Sequence, residues 1–286
     1  MGQDLSGPLS ISRGLRCVVF GFFAIAITSI PTAIPANAEI SQGDRAWARR
    51  AEALDGSRPM LERVETAIAN YRAAVELEPA SFEARWKLLR AFHYAIDFSA
   101  LTNARKDALV EDAVALARSS IARVEAGGGE DPDRARLLFW SAVAWGTRAQ
   151  RVGLLTIVRE GVAGRMHDYA ERSLDLDPSV DRGGALRLLS RLHATLPHVP
   201  FVSGWVDRDE AIPLAERGLA LYPDHPGNAL VLALTLLELA PERMGEAQRL
   251  LSNTARAEPR PEFLVEDLAI REQARERLEA WGGGSP

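Results

Sequence analysis

Cysteine is almost missing from this chain, because the 286 residues include a single one, Cys17. The sequence downstream of Cys17 therefore has no thiol for disulfides, zinc–thiolate sites or a cysteine nucleophile. Lysine is nearly as scarce, with only Lys87 and Lys106, so arginine supplies almost all of the positive charge. The formal net charge is −5, and an acidic balance argues against nucleic acid and anionic membrane surfaces as the main partners.

Catalytic and cofactor-binding motifs are absent as well. The sequence has no G-x-S-x-G elbow, no P-loop, no H-E-x-x-H helix and no dinucleotide fingerprint. The glycine triplet 127–129 follows a predicted helix, so we interpret it as a helix C-cap and not as a phosphate loop. Among the five histidines only His193 and His198 are close in sequence, and a helix end with Pro197 separates them, which disfavours a metal site. We therefore predict no catalysis, no metal and no cofactor.

One longer apolar run lies near the N-terminus, from Cys17 to Ile30. Two arginines precede this run, and the small residues Ala36 and Ala38 follow it. This order is typical of a cleavable secretory signal, and the run is too short for a comfortable transmembrane helix. We expect cleavage after Ala38 and a periplasmic mature chain without a membrane span; retention of the run as an uncleaved anchor is the alternative. Residues 39–281 are then the helical domain, and residues 282–286 a disordered tail.

A recurring pattern organises the rest of the chain. Each copy has four positions that lie twelve, eight, five and two residues before a proline. Positions spaced by four, three and three residues share one face of a helix, and a proline just beyond the helix prevents its continuation. The four copies end at Pro79, Pro178, Pro223 and Pro259, and the residue five before each proline is Ala74, Ser173, Gly218 and Thr254. The pattern predicts helices with small-residue seams.

These residues resemble the second helix of the tetratricopeptide repeat family, which carries small and large residues and a terminal proline in this register. The resemblance covers most of residues 44–260 and implies an all-α, right-handed α-solenoid of about five antiparallel helix pairs. The uneven spacing of the prolines predicts loops inserted between paired helices.

Hydrophobic periodicity and capping residues predict the helices. We place them at 44–54, 60–77, 81–97, 105–126, 131–151, 155–176, 184–195, 207–221, 225–239, 242–257 and 263–281. The segment 196–206, which includes Trp205, is long and too apolar for disorder. We expect this segment to fold across a groove or to fill an interface between repeats.

The resemblance also indicates candidate binding residues, because the first helix of each pair lines the concave face of such an array. The helix after Pro79 then places Trp86, Arg90, His93 and Tyr94 on the inner surface, and an arginine between aromatic rings suits a carboxylate-bearing ligand or peptide. The alternative is that Trp86 packs between helices and that Arg90 pairs with a local acid. Further candidates for this face are Trp140, Trp145, Arg148 and Trp205, with core packing as the alternative for at least one of Trp140 and Trp145.

Two further segments are similar to the T-component family associated with TRAP transporters. They are the central apolar helix with residues 137–140 and the closing segment 259–267. This resemblance implies a periplasmic solute-binding protein as partner, a small carboxylated or hydrophobic ligand, and self-association. A general periplasmic scaffold for envelope or secretion complexes is the alternative. A periplasmic enzyme on an α-solenoid is a third hypothesis, which no residue constellation supports.

Overall fold

A computed structural model describes residues 35–52, 54–55, 58–59, 61–200 and 203–282. Most of the predicted signal peptide lies outside these residues, and the predicted cleavage point after Ala38 falls in the first turn of α1. The α-helices within the described residues are α1 (Ala36–Ala48), α2 (Leu61–Leu77), α3 (Phe82–Phe98), α4 (Asn103–Glu125), α5 (Asp131–Ala149), α6 (Leu154–Glu160), α7 (Val162–Leu176), α8 (Gly184–Thr195), α9 (Arg208–Leu221), α10 (Pro226–Leu239), α11 (Met244–Arg256) and α12 (Leu264–Gly282).

Short elements connect some of these helices. Two strands of two residues each, β1 (Leu54–Asp55) and β2 (Arg58–Pro59), pair antiparallel between α1 and α2. Single 3₁₀ turns at Val180–Arg182, Pro241–Arg243 and Pro261–Phe263 precede α8, α11 and α12. All other regular secondary structure in the described residues is α-helical.

The helices pack as successive antiparallel pairs. The pairs are α1–α2, α3–α4, α5–α7, α8–α9 and α10–α11, and α12 packs on α11 and α10 at the end of the array. This arrangement confirms the predicted all-α solenoid of about five helix pairs.

The repeated pattern marks the seams between helices. The small residues five positions before each proline, Ala74, Ser173, Gly218 and Thr254, are all buried. Small side chains at a contact let two helix axes approach closely. The residue two positions before the proline is not always buried, because Leu77 and Leu221 are each 49% exposed. The small positions of the pattern therefore hold the repeats together, while this last position lies at the surface in two of the copies.

Two of the predicted helices differ from the structure. The helix predicted at 44–54 ends at Ala48, and Leu54 lies in β1 instead. The helix predicted at 155–176 is divided into α6 and α7 by Gly161, which has a φ of 61° and ends α6 in the left-handed region that glycine favours. The first helix begins at Ala36 and not at residue 44, and its Ile40 is buried in a small cluster with Ala74 and Ala84. Packing against α2 and α3 thus extends a helix whose own residues are mostly polar.

The last helix of the array closes back on the first. Arg50, just after α1, is only 5% exposed, and its guanidinium donates hydrogen bonds to Glu266 Oε1 at 2.7 Å and to the Glu262 carbonyl at 2.5 Å. The same guanidinium lies 5.7 Å from the centre of the Phe263 ring. Helix α12 also contacts α3. The two ends of the array therefore meet, and the groove between them becomes a cavity.

Candidate functional site

The concave side of the solenoid holds a cavity of about 690 Å³. Its lining residues belong to α1, α3, α5, α8, α10 and α12, or to the residues directly before α8, α10 and α12. These are the first helices of the five pairs together with the terminal helix. The structure thus forms this cavity from the face that the tetratricopeptide resemblance assigns to ligands.

Aromatic rings form much of the cavity wall. Trp47 and Tyr94 meet edge to face with ring centroids 5.3 Å apart, and Tyr94 lies 5.1 Å from Phe98. Such separations are typical of favourable aromatic pairs. The aromatic residues that line the cavity are Trp47, Trp86, Tyr94, Phe98, Phe139, Trp140 and Phe263, and Leu188, Leu230, Val231 and Ile270 add aliphatic surface.

Arg90 projects from α3 into this aromatic surface. Its guanidinium carbon lies 4.1 Å from the centre of the Trp47 ring and 4.9 Å from the centre of the Trp86 ring. Burial lowers the pKa of Arg90; the Tyr71 hydroxyl opposes this shift, and the positive charge of Arg50 adds to it. Among the described residues no carboxylate forms an ion pair with Arg90, and its buried Nε has no hydrogen-bond partner. Asp44 also acts on Arg90 through its charge, and it accepts a hydrogen bond from the Tyr71 hydroxyl. Arg90 is therefore a desolvated cation held by ring faces, and no carboxylate of the described residues lies at ion-pair distance from it.

The other arginines that line the cavity are paired. Arg136 lies 3.1 Å from Asp133, Arg191 lies 3.2 Å from Glu238, and Arg260 forms a bidentate pair with the buried Asp267 at 2.7 Å; Arg187 pairs with Asp181. Carboxylates on the wall are also in contact with basic groups, since Glu266 pairs with Arg50 and Asp97 lies 3.3 Å from His93 Nδ1. Arg90 is thus the lining arginine in the described chain that has no carboxylate at ion-pair distance.

The far end of the cavity, at α8 and α10, is a rigid polar cluster. Asp181 and Arg182 adopt positive φ angles of 49° and 50°, which non-glycine residues keep only when surrounding contacts hold them. Arg187 supplies those contacts by donating to the carbonyls of both residues at 3.0 Å. Burial and the charges of Arg187, Arg260 and Arg182 lower the pKa of His225 to about 2, so its imidazole is neutral and its Nδ1 accepts the Gly227 N–H.

Five of the eight residues predicted at the concave face line the cavity together. They are Trp86, Arg90, His93, Tyr94 and Trp140. Trp86 and Tyr94 are also largely buried, and the Trp86 indole N–H donates to Asp133 at 3.0 Å. Packing between helices and a place on the cavity wall are therefore compatible for these side chains.

The remaining three predicted residues lie elsewhere. Trp145 is fully buried in the main core, where the guanidinium carbons of Arg118 and Arg165 lie 5.0 and 5.1 Å from its ring centre. Arg148 pairs with Glu160 at 2.7 Å and also with Glu111, and does not line the cavity.

Trp205 belongs to a separate cluster at α7 and α8. Its ring stacks on His167 at a centroid distance of 3.9 Å and meets His193 edge to face at 5.7 Å. Burial and the nearby His193 lower the pKa of His167 to about 4. The described part of segment 196–206 therefore covers the ends of these two helices, and none of its described residues lines the cavity.

Other residues of the cavity were not predicted from the sequence. Arg136 lies one turn before Trp140 on α5, so the helical period alone gave a signal for it. Phe263 and Glu266 have no such local signal, because they reach the site only through the closure of α12 onto α1. Trp47 lies on α1, the first helix of its pair, and contacts Arg90 and Tyr94 of α3, so the repeat register gave a signal for it.

No group of three or more His, Cys, Asp or Glu side chains in the described chain is placed to hold a metal ion. None of the described helices is long and apolar enough to cross a membrane.

Comparison with known proteins supports the fold. No family model matches the chain, and no curated protein matches its sequence. Among solved structures the chain is similar to TTC0263, a thermophilic TPR protein in Thermus thermophilus, with a TM-score of 0.52 and 16% identity over 86% of this chain and 97% of that one. At this identity the similarity concerns the fold alone: the chain has a tetratricopeptide-like α-solenoid fold.

Proposed function

We propose that this protein is a periplasmic binding protein that acts as the accessory, T-component-like partner of a TRAP-type solute transport system. The observation that supports the proposal is the closure of the concave groove by α12. A groove that receives a long peptide or a folded partner needs an extended open face, whereas here α12 narrows the groove to a cavity of about 690 Å³, within the range of small-molecule sites.

The cavity supports a role in handling a small ligand. Its wall combines aromatic and aliphatic side chains with a few charged groups, which is the usual composition of a site that fixes a ligand's orientation. We assign ligand contact to the predicted residues that line it: Trp86, Arg90, His93, Tyr94 and Trp140. Trp145, Arg148 and Trp205 contact other parts of the protein, so we assign them to the support of the repeats.

The outer surface of the solenoid is available to protein partners. Solenoid folds present extended surfaces for protein–protein interaction, and this chain leaves the second helices of its pairs outside the cavity. Self-association of the accessory protein belongs to the same proposal.

Affinity purification of the tagged full-length protein from a periplasmic extract tests the proposal. Mass spectrometry identifies the co-purified proteins and retained small molecules and determines the N-terminal residue, which we expect to be Glu39. Recovery of a solute-binding protein together with a small ligand supports the transport role. Recovery of envelope-assembly or secretion factors without such a protein identifies a general scaffold and overturns it, and a protein that stays in the cytoplasmic fraction overturns the periplasmic assignment.

A further inference from the structure

We infer that the cavity binds a monocarboxylate with a flat aromatic body, and that the ligand's carboxylate sits on Arg90. This inference rests on the proposed function in one respect, namely that the cavity is the ligand site. It adds the charge and the shape of the ligand, which the fold does not determine.

The charge of the ligand follows from the ion pairs that the lining arginines form. Each lining arginine except Arg90 has a carboxylate within ion-pair distance among the described residues. One anionic group on the ligand therefore matches the one lining arginine that has no ion-pair partner among the described residues, although the charge of Asp44 also acts on it. A second anionic group would meet Asp97, Asp181 or Glu266, which also line the cavity, and like charges at short distance in a partly buried site repel strongly.

The geometry of Arg90 favours a carboxylate over other anions. The Trp47 and Trp86 rings contact the guanidinium by their faces, whereas the N–H groups of a guanidinium lie in its own plane. The Arg90 Nε is buried and the Tyr71 hydroxyl is a hydrogen-bond neighbour of the side chain, so we assign the ligand to the two Nη groups. Their in-plane N–H bonds match the two oxygens of a carboxylate in a bidentate pair. Arg50, whose guanidinium lies 4.5 Å from the same Trp47 ring, repels Arg90. An anion placed on Arg90 reduces this repulsion.

The shape follows from the walls beyond Arg90. Phe139 and Trp140 meet edge to face at 5.1 Å, and Trp140 lies 5.7 Å from the His93 ring. A flat aromatic ring can add further stacked or edge-to-face contacts to such a surface, whereas an alkyl chain gains only from burial. We expect this difference to give an aromatic ligand an advantage of up to roughly tenfold in Kd over an alkyl ligand of similar size.

Four probes of matched size separate charge from shape. Isothermal titration calorimetry measures the binding of each probe to the full-length protein. 2-Naphthoate carries one negative charge, 2-naphthamide carries none and 2,6-naphthalenedicarboxylate carries two. Decanoate carries one charge on an alkyl chain instead of an aromatic ring. We expect 2-naphthoate to bind tightest, the amide and the dicarboxylate at least tenfold more weakly, and decanoate about three- to tenfold more weakly.

Variants assign the contacts. Arg90→Met keeps most of the apolar stem and should weaken 2-naphthoate at least tenfold while leaving 2-naphthamide unchanged. Trp140→Leu should weaken 2-naphthoate more than decanoate. Arg217→Ala, an exposed arginine outside the cavity, is the matched control and should bind every probe like the wild type. Circular dichroism confirms that each variant is folded, and the Trp140→Leu result keeps the test informative if Arg90→Met does not fold.

Two results overturn the inference. The first is binding of the dicarboxylate or the amide as tight as that of 2-naphthoate, and the second is an unchanged 2-naphthoate affinity in folded Arg90→Met. The failures of the two proposals are distinguishable. If no probe binds while a solute-binding protein still co-purifies, the ligand class is wrong and the transport role stands. If 2-naphthoate binds as expected but no transport partner is recovered, the ligand class stands and the transport role is wrong.

Discussion

Replacing Arg50 by methionine tests whether a buried ion pair closes the array. The Arg50 side chain is 5% exposed and the Glu266 side chain 21% exposed. The guanidinium gives Glu266 Oε1 two hydrogen bonds, at 3.1 Å from Nε and 2.7 Å from Nη2, and donates a third to the Glu262 carbonyl. Methionine retains much of the apolar stem but leaves the Glu266 carboxylate beside α1 without its cation.

The expected loss of stability in Arg50→Met follows from the burial of Arg50 and Glu266. Removing one partner of a fully buried pair costs about 3–5 kcal/mol, because the other charge stays desolvated. The Glu266 side chain is partly exposed although its Oε2 is buried, so we expect the lower end of this range, about 3 kcal/mol, for Arg50→Met. Since stability in a solenoid is largely local, the loss should concentrate in α12. Removing both charges in Arg50→Met/Glu266→Leu should restore much of the stability, because an apolar pair of similar volume is often no worse than the ion pair.

Urea denaturation followed by circular dichroism measures the change, and hydrogen–deuterium exchange of α12 locates it. Arg49→Met is the matched control, because Arg49 and Glu52 form a surface pair in which both side chains are about half exposed, and such pairs contribute about 0–1 kcal/mol. If Arg50→Met unfolds at the wild-type urea concentration and α12 exchanges at the wild-type rate, Arg50 does not hold the array closed.

Three further predictions concern the repeats and the polar clusters. Ala74→Leu should overpack the seam of α2, where Ala74 is fully buried, and cost about 1–3 kcal/mol; a wild-type melting temperature would contradict the proposed register. Tyr71→Phe removes the hydrogen bond from the buried hydroxyl to Asp44 at 2.8 Å and should lower the free energy of unfolding in urea by about 1 kcal/mol. His225 has a folded-state pKa of about 2, below the unfolded value of about 6.5, so below pH 6.5 the unfolded state binds more protons and stability falls by up to about 1.4 kcal/mol per pH unit. Asparagine at position 225 can still cap α10, so His225→Asn should lose less stability than the wild type between pH 7 and pH 5, and equal losses would rule out His225 as the cause.

The helices could be predicted from the sequence because their signals are local. Residues 184–195 form α8 as predicted, since an apolar face with a glycine before it determines a helix within a single segment. The helical periodicity of residues 155–176 continues across Gly161, so it predicted one helix where this left-handed glycine separates α6 from α7. It also failed at Ala36, where burial of Ile40 against the neighbouring repeat extends α1. Both boundaries depend on backbone geometry or packing that the helical period does not contain.

The candidate site was predictable only in part, for a related reason. Arg90 and Tyr94 share one face of α3, so the helical period and the repeat register together place them on the concave side. Glu266 lies more than 200 residues after Arg50 in sequence, and the two meet only because each helix pair rotates the chain by a small angle and the rotations add up around the array. The summed rotation cannot be predicted from any short segment of the sequence.

Trp47 connects the part of the site that the sequence predicted with the part that it did not. Both Arg50, which fixes α12, and Arg90, which we assign to the ligand, lie over the Trp47 ring, at 4.5 and 4.1 Å from its centre. A carboxylate on Arg90 reduces the repulsion between the two guanidiniums and so favours the closed array. Because coupling between sites is reciprocal, 2-naphthoate should slow hydrogen–deuterium exchange of α12 in the wild type and should bind more weakly to Arg50→Met. Binding without any change in α12 exchange would show that the ligand and the closure are independent.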